Sequence, residues 1–591
     1  MKKYLVTTSL EGSWPSKGKN ILFLGEWCKR FDRKEKWAEL DSNTVEYHWD
    51  DREKVYSDYQ YLRELHEDML VEMKGYLNDL HGVSRSLRYW RIQLGPWMGY
   101  LLPILFDRYS MLAKAQTEFD IIEFKTPSYD ISEVVAEDTT HFMDLSFSDH
   151  WNQVIFSELA DIFSFKKFEV ISPEFNQFFL LMRQNKKPIN TFTGKIKNLI
   201  SSLCQRFFEE SDVFVYSTYL SRLNEIKLSI KLGQFPQYIR NRGADISQII
   251  PQGRSSFNIT SGMTDFREIA SVMLKRHIPI IYSEGYESTL KLVDHLPWPE
   301  VPASIVTAIG WTTDDVFKLW AGDKVENGAQ LLIVQHGGNF GVAKWNFFEE
   351  HQVAISDKFL TWGWDDPKQK EVIAFGCPKL LGSKVSFDES GGLLIIGLSM
   401  PIMSYHMYSV TISVGQWISY FNDQINFVTS LNKRVQDATT FRTCGTDFGC
   451  YQKDRWIDKK DYLTITLEDE SDRSLVESIS RSRLVVSTYN ATTFLETMAM
   501  DVPTVVFWNP EHWELRGAAK IYFDDLRDVG ILHYSSESAG RHVNNVWLDV
   551  SAWWRSEAVQ KVRRKFCLRY SHIPANGVDR MAEICRVDAL K

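Results

Sequence analysis

The stretch of residues 487–510, STYNATTFLETMAMDVPTVVFWNP, constrains the fold more than any other part of the chain. An apolar run at residues 484–486 precedes it and predicts a buried strand, and a second apolar run at residues 504–508 predicts another. Between them lie small polar residues and a helical pattern that ends near Pro503. This order predicts a parallel α/β sheet with polar residues at the carboxyl end of a strand, where ligands of open α/β sheets bind.

The polar turn of this unit is a candidate anion site. Backbone N–H groups at a helix N-terminus and the positive end of the helix dipole favour a diphosphate or nucleoside phosphate. The segment resembles the nucleotide-sugar site of GT-B glycosyltransferases, especially enzymes that build bacterial surface polysaccharide. The resemblance implies phosphate contacts from the turn and a ribose contact from the helical glutamate; an ordinary helix-capping loop with a solvated glutamate is the alternative. The candidate donor-binding residues here are Ser487, Thr488, Asn490, Thr492, Thr493 and Glu496.

A second motif, LLIVQHGGNFG at residues 331–341, again runs from an apolar strand into a polar turn. Gly337 and Gly338 allow close approach by a ligand, and they join Asn339 as candidate donor-binding residues. His336 lies at the predicted strand end, and an ordinary histidine pKa near 6.5 suits proton transfer or phosphate contact. We predict a catalytic role for His336; a structural histidine is the alternative.

Three segments together carry a resemblance to a known family. They are YLVTTSLEGSW…ILFLGEWC near the N-terminus, QHGGNFG…SDKFLTWGW in the centre and STYNATTFLETMAMDVPTVVFWNP towards the C-terminus. The chain resembles the LIC12162-type transferases, which are associated with bacterial O-antigen and related surface-carbohydrate loci, and the resemblance spans nearly the whole chain. It implies a nucleotide sugar as donor (a CMP-activated ulosonic acid, or a GDP- or UDP-sugar) and a glycan or lipid-linked glycan as acceptor.

Size and charge limit the other possibilities. A chain of 591 residues exceeds one ordinary core, so two or three domains are expected. The net charge of −9 argues against nucleic-acid binding, which usually shows a basic footprint. The first apolar run is only three residues long, too short for a signal peptide, so we predict a cytoplasmic protein. Association with the inner face of the cytoplasmic membrane stays open.

One charge-free run, residues 391–422, tests that prediction because a membrane span needs about twenty predominantly apolar residues. Serines, a proline and a histidine interrupt the run. We therefore predict a buried strand, a polar loop and the start of an amphipathic helix rather than a span.

The spacing of apolar runs predicts two consecutive α/β domains. Strands are predicted in the first at 213–217, 279–282, 305–308 and 331–334, and in the second at 393–398, 440–443, 463–466, 484–487 and 504–508. We expect a GT-B-like fold of two Rossmann-type domains that face a crevice, with a helical N-terminal elaboration. The domains are residues 1–385, with a helical insertion at about 50–210, and residues 386–591; a helix near 551–570 could cross back to the first domain.

Glycosyl transfer needs a base or nucleophile and a group that stabilises the departing phosphate. Glu284 is the predicted catalytic carboxylate because it follows the predicted strand 279–282; a glutamate that satisfies a helix N-terminus is the alternative. Asp314 and Asp315 look more like a helix cap.

Arg442 and Lys379 are predicted to contact the donor phosphate, although Asp447 could simply pair with Arg442. No DxD motif lies in a metal-site context, and GT-B enzymes commonly work without a metal. We therefore expect no cofactor and no metal, only the nucleotide-sugar co-substrate.

Two other functions stay open at this point. Polyol-phosphate polymerases share the GT-B outline, so a polyol-phosphate-type transferase is one alternative. A non-catalytic scaffold of a glycan-assembly complex is the other, and it predicts no nucleotide binding.

Overall fold

The computed structural model describes residues 2–15, 20–163, 165–170, 173–184, 207–237, 244, 246, 249–403, 407, 412–443, 445–459 and 463–586. Its strands form three sheets, and the pairings within these sheets are parallel throughout the described residues. Helices connect most successive strands; β9 and β10 are joined without one. The predicted α/β class with parallel sheets is confirmed.

The N-terminal sheet has the strand order β3-β2-β1-β4-β5. Its strands are β1 (Lys3–Val6), β2 (Ile21–Phe23), β3 (Ser42–Thr44), β4 (Ile121–Pro127) and β5 (Lys166–Val170). A helical insertion was predicted at about 50–210, so β4 and β5, which lie inside it, are strands that the sequence did not predict. The edge strands β3 (SNT) and β5 (KKFEV) are polar, and no apolar run marks them.

Helices dominate the rest of the N-terminal region, as predicted for the insertion at about 50–210. The two longest are Arg52–His81, which Asp51 caps and which ends at Gly82 with φ of 63°, and Leu87–Glu118, whose middle part is buried. Residues 185–206 of the predicted insertion lie outside the described part of the chain. The other α-helices here are Lys34–Trp37, Ile131–Val134, Thr139–Ser146, Asp149–Leu159 and Pro173–Gln184.

The middle sheet has its five strands in sequence order, from β6 at one edge to β10 at the other. They are β6 (Phe214–Tyr216), β7 (Ser304–Thr307), β8 (Gln330–Val334), β9 (Lys358–Thr361) and β10 (Val372–Ala374). The helices of this region are Arg222–Leu232, Phe266–His277, Tyr286–Asp294, Gly310–Thr313, Asp315–Glu326 and Phe347–Ile355.

The strand predicted at 279–282 is wrong, because residues Ile280–Tyr282 form a buried 3-10 helix. The backbone N–H groups of Ile280 and Ile281 donate to the carbonyls of Ala136 and Glu137, at 3.0 and 2.9 Å. A short buried apolar run satisfies its backbone here through a neighbouring loop, which periodicity cannot distinguish from a strand.

The C-terminal sheet has the order β13-β12-β11-β14-β15-β16. Its strands are β11 (Gly392–Ile396), β12 (Thr439–Arg442), β13 (Thr466–Glu468), β14 (Ser482–Ser487), β15 (Thr504–Phe507) and β16 (Leu532–His533). The strand order reverses between β11 and β14, so the sheet has a topological switch point there. The strand predicted at 463–466 begins only at Thr466.

The helices of the C-terminal region follow the same alternation with strands. The run at 391–422 begins with β11 and ends in the start of a long helix, as predicted, whereas residues 404–406 and 408–411 of the predicted polar loop lie outside the described residues. None of the described helices has the length and apolar character needed to cross a membrane. These helices are Val414–Ser430, Lys433–Asp437, Gln452–Ile457, Leu475–Ser480, Thr492–Ala499, Gly517–Asp528, Ser536–Val546, Val550–Arg555, Glu557–Tyr570 and Gly577–Cys585.

The chain end returns to the middle sheet. The helix predicted near 551–570 is two helices separated at Ser556. The second of them reaches the segment after β9, where Arg569 pairs with Asp365, and the following helix, Gly577–Cys585, packs on the middle sheet. Met581 and Cys585 are fully buried there in one cluster with Val306 and Leu332. The Ser304 hydroxyl donates to the Cys585 carbonyl at 2.9 Å. The middle sheet and the helix Gly577–Cys585 therefore share a core, while the domain boundary at residue 385 stays a prediction.

Met581→Ala should destabilise the protein by about 2–5 kcal/mol, because removing a fully buried methionine side chain leaves a cavity between this helix and the sheet. Chemical denaturation measures the change in the free energy of unfolding. Glu583→Ala, an exposed change on the same helix, is the control and should stay within about 0.5 kcal/mol. Equal effects of the two changes would show that the helix is not docked as described.

Candidate functional site

The two glycine- and threonine-bearing turns singled out in the sequence meet in space. One follows β8 in the middle sheet, and the other follows β14 at the switch point of the C-terminal sheet. The backbone N–H of Gly338 donates to Oγ1 of Thr492 at 2.9 Å. We call this region the loop junction, defined as residues 336–338 and 490–496 together with Lys379. The junction brings two different sheets together at the carboxyl ends of their strands.

The close approach of the two turns requires glycine at position 338. A Cβ atom there would lie 2.5 Å from the carbonyl carbon of Ala491 and 2.7 Å from the backbone nitrogen of Thr492. At Gly337 the same test meets only the Thr492 hydroxyl, at 3.1 Å. Backbone cannot move aside as a side chain can, so Gly338 sets the distance between the two turns.

The helix Thr492–Ala499 presents one face to the middle sheet. Thr492 and Glu496 are four residues apart and therefore share a face. Thr492 accepts from Gly338, and Glu496 pairs with Nζ of Lys379 at 2.7 Å. Lys379 lies in the 3-10 helix Pro378–Leu380, which follows β10 of the middle sheet. The structure thus joins two residues, Lys379 and Glu496, that the sequence had suggested separately.

The Glu496–Lys379 pair is unequal in exposure. The Glu496 side chain is 8% exposed and that of Lys379 is 46% exposed. Burial raises the pKa of Glu496, and the charge of Lys379 opposes that rise. Because the ammonium is reachable from solvent while the carboxylate is not, an arriving anion would meet Lys379 first.

His336 lies two residues after the end of β8, close to the predicted strand end, with part of its surface exposed. Burial lowers its pKa to about 4, and the side chain of Gln352 works in the opposite direction. The imidazole is packed against the rings of Phe340 and Trp311, with centroids at 5.3 and 6.3 Å. The ring is therefore neutral at pH 7 and can bind or move a proton only from that state.

Gln335 holds the turn that carries His336. Its Nε2 donates to the carbonyl of Gly337 at 2.7 Å. Its Oε1 accepts from the backbone N–H of Trp362 at 2.8 Å and from Nε1 of Trp364 at 2.9 Å. Since the amide is bonded at both ends, the turn after β8 is tied to the segment after β9.

The rest of this turn is tied to the C-terminal region. Asn339 has φ of 76°, a left-handed conformation that asparagine adopts more readily than most residues. Oε2 of Glu349 accepts from the N–H of Gly341 at 2.5 Å, and Oε1 pairs with Arg516 at 2.8 Å. Arg516 also donates from its backbone to the Val342 carbonyl at 2.9 Å. The contacts of Arg516 therefore link the middle and C-terminal regions a second time, beside the loop junction.

Several polar residues of the turn after β14 are already engaged. The Thr488 hydroxyl bonds the Ile396 carbonyl at 3.1 Å, the Tyr420 hydroxyl at 2.6 Å and Nε2 of Gln424 at 3.3 Å. A hydroxyl has one donor and two acceptor positions, so Thr488 is saturated and holds β14 to the end of β11. The other engaged residues are Ser487, bonded to the Tyr489 carbonyl, and Thr493, bonded to the Tyr489 hydroxyl.

Asn490 and Thr492 remain the better placed polar residues of this turn. Asn490 is buried and makes no side-chain hydrogen bond to a described residue. The helix that follows has no side-chain cap, because its N-cap residue is Ala491. Uncapped N–H groups at a helix start are suited to a bound anion.

Arg442 is not placed as the sequence suggested. It is buried, pairs with Glu468 at 2.5 Å and donates to Ser478 and to the Arg473 carbonyl, at 3.1 and 3.0 Å. These bonds occupy the guanidinium away from the loop junction. The suggested pairing with Asp447 is wrong, because the Asp447 carboxylate accepts instead from the backbone N–H groups of its own loop, residues 449–452.

Glu284 also lies apart from the loop junction. Because residues 280–282 are not a strand, Glu284 does not sit at a sheet edge. Both of its carboxylate oxygens accept from the buried Arg254, at 2.9 and 2.7 Å, and Ser283 donates to it at 2.6 Å. Burial acts to raise its pKa, but the Arg254 hydrogen bonds and charge outweigh that effect and lower it. A carboxylate held in this way is a poor proton acceptor.

The two aspartates considered as weaker candidates are structural, as their sequence context suggested. Oδ1 of Asp314 caps the helix Asp315–Glu326 by accepting from the N–H of Phe317 at 3.1 Å. Asp315 pairs with the fully buried Lys318 at 2.7 Å. Within the described ranges, no three His, Cys, Asp or Glu side chains come together as a metal-binding group. Independence from metals stays a prediction.

Comparisons with known proteins identify the family of this chain. A family model described as LIC12162 family transferase matches residues 3–582. The chain belongs to the LIC12162 family of transferases. No curated protein matches it. Among solved structures, the crystal structure of MurG from Acinetobacter baumannii is similar at 12% identity with a TM-score of 0.29, over 79% of this chain and 99% of that chain. A TM-score this low is no evidence for a shared fold, so the evidence for the fold of this chain is its own strand order.

Gly338→Ala should lower the thermal stability of this LIC12162 family transferase and disrupt the loop junction, because the added methyl group collides with backbone. Gly337→Ala is the matched variant, since its methyl group meets one hydroxyl that can rotate away. Differential scanning calorimetry of both variants checks the prediction. A melting temperature for Gly338→Ala as high as that of Gly337→Ala would mean that the two turns are not in contact.

Proposed function

We propose that this protein is a nucleotide-sugar-dependent glycosyltransferase whose donor binds at the loop junction. The observation that carries the proposal is the contact between Gly338 and Thr492. It sets a candidate proton-transfer residue, His336, beside the switch point of a parallel sheet. Switch points of such sheets are where nucleotides and related ligands bind.

The binding roles follow from position. The uncapped start of the helix Thr492–Ala499, with Asn490 and Thr492, would receive the donor phosphate. Lys379 would add a charge-assisted contact to that phosphate. Glu496, released in part from Lys379, would accept hydrogen bonds from the ribose hydroxyls. Gly337, Gly338 and Asn339 would line the opposite side through their backbone.

The donor and acceptor are proposed from the family resemblance. A CMP-activated ulosonic acid, a GDP-sugar or a UDP-sugar would serve as donor, and a bacterial surface glycan such as O-antigen would serve as acceptor. Transfer would take place in the cytoplasm or at the inner face of the cytoplasmic membrane. A polyol-phosphate donor and a scaffold without nucleotide binding are the competing outcomes of the experiments below.

Glu496→Ala should weaken nucleotide affinity about tenfold or more, because charged hydrogen bonds contribute roughly 1.5–3 kcal/mol. Isothermal titration with CMP, UDP and GDP separately identifies the nucleotide and measures the loss. Glu583→Ala, an exposed carboxylate on the last helix, is the control and should bind as the unaltered protein does. Absence of binding by every nucleotide would favour the scaffold, and an unchanged affinity in Glu496→Ala would remove Glu496 from the site.

His336→Ala should reduce turnover by about 10²–10⁴-fold and leave donor affinity nearly unchanged, since proton transfer is a transition-state contribution. Transfer assays with the nucleotide sugar found by titration, together with donor binding by the same variant, separate the two effects. A change confined to the melting temperature would make His336 a structural residue.

A further inference from the structure

A tyrosine hydroxyl joins the two turns that border the switch point of the C-terminal sheet. The hydroxyl of Tyr420 accepts from the backbone N–H of Leu398, in the turn after β11, at 2.7 Å. The same hydroxyl bonds Oγ1 of Thr488, in the turn after β14, at 2.6 Å. Because the strand order reverses between β11 and β14, these two turns border the crevice in which ligands of such sheets bind.

The direction of each hydrogen bond follows from the neighbouring acceptor. The single proton of the Thr488 hydroxyl goes to the carbonyl of Ile396 at 3.1 Å, because a carbonyl can only accept. Tyr420 must therefore donate its own proton to Thr488, and its oxygen accepts from Leu398. Burial raises the pKa of the Tyr420 hydroxyl, so the hydroxyl keeps its proton at neutral pH. One buried group thus satisfies both turns.

The helix Val414–Ser430 supports this hydroxyl. Tyr420 and Gln424 lie four residues apart on that helix, so both side chains are on the face that meets Thr488. Nε2 of Gln424 donates to Thr488 at 3.3 Å, and its Oε1 accepts from Nε2 of Gln452 at 3.4 Å. All four side chains are buried, so a lost bond here leaves a polar group unsatisfied inside the protein.

The turn after β14 runs from Thr488 directly into the loop junction. Asn490 and Thr492, the residues proposed to receive the donor phosphate, lie two and four positions further along the chain. Thr492 accepts in turn from Gly338 at 2.9 Å. Because so short a segment cannot absorb a large displacement, the position of Thr488 influences the positions of both binding residues.

We propose that Tyr420 is a positioning residue of the donor site, whose hydroxyl sets the separation of the turns after β11 and β14. The inference rests on the proposed function for the class of ligand, a nucleoside phosphate. Since Tyr420 is buried and both turns occupy its hydroxyl, it acts through Leu398 and Thr488 rather than by contact with the donor. A site that is already ordered loses less entropy when its ligand binds.

Tyr420→Phe removes the hydroxyl and keeps the buried ring. Isothermal titration of the full-length protein with CMP, UDP and GDP measures the consequence. We expect the affinity for the nucleotide that binds to fall about tenfold, in keeping with the loss of hydrogen bonds that order the site. An unchanged affinity in the folded variant would overturn the proposal.

Tyr89→Phe is the matched control, because it also removes a buried tyrosine hydroxyl, one that bonds the Tyr286 hydroxyl at 2.8 Å. Both variants should melt at a lower temperature than the unaltered protein, but only Tyr420→Phe should lose nucleotide affinity. An equal loss of affinity in Tyr89→Phe would contradict the proposal, since general destabilisation would then account for the effect.

Thr488→Val breaks the same bond from the other side, so it tests the proposal even if Tyr420→Phe does not fold. It should also lower nucleotide affinity, and an unchanged affinity would count against the proposal. In the double variant, the loss should be smaller than the product of the two single losses, because the two residues share one hydrogen bond. Losses that multiply would show that Tyr420 does not act through Thr488.

Amide hydrogen exchange of the ligand-free protein provides a readout that needs no nucleotide. Relative to the unaltered protein, Tyr420→Phe should exchange faster over residues 397–400 and 488–492, because the N–H of Leu398 loses its acceptor. Tyr89→Phe should not, and equal exchange in both variants would refute the positioning role. The two proposals therefore fail separately. Absence of nucleotide binding by the unaltered protein would contradict the proposed function, while exchange would still decide whether Tyr420 holds the two turns.

Discussion

The contact between the turn after β8 and the turn after β14 is the constraint on which the rest of the site depends. It requires a residue without a side chain at Gly338, because backbone atoms of Ala491 and Thr492 occupy the space that a Cβ would need. Through this contact, a hydrogen bond of 2.9 Å fixes the middle sheet against the switch point of the C-terminal sheet. Lys379 and Glu496, which pair at 2.7 Å, lie on the two sides of this contact.

Other contacts besides this hydrogen bond hold the C-terminal region against the middle sheet. Arg516 of the C-terminal region reaches Glu349 beside the turn after β8, and the helix Gly577–Cys585 returns to pack on the middle sheet. Charges buried in these bridges are paired, as the cost of an unpaired buried charge demands. A fixed frame is what a site needs if its binding and catalytic residues are to keep one geometry.

Burial in ion pairs also explains why some charged residues predicted to act in the site are unavailable and others are available. An arginine such as Arg442 can bind phosphate, and a glutamate such as Glu284 can accept a proton. In this structure, however, Arg442 is paired with Glu468 and Glu284 with Arg254. Lys379, by contrast, keeps 46% of its side chain exposed and stands at the loop junction. Availability, set by neighbours distant in sequence, therefore decides which charged residues can meet a ligand.

Local patterns were enough to predict the α/β class with parallel sheets, the strands that precede both turns and the candidates His336, Gly338, Thr492 and Glu496, because apolar periodicity and turn composition are local properties. It failed at residues 280–282, where a loop satisfies the backbone of a strand-like run, and at the polar edge strands of the N-terminal sheet. The pairing of Lys379 with Glu496, the saturation of the Thr488 hydroxyl and the contact of Gly338 with Thr492 became visible only in the folded chain. Those contacts depend on distances between residues far apart in the chain, which no local pattern encodes.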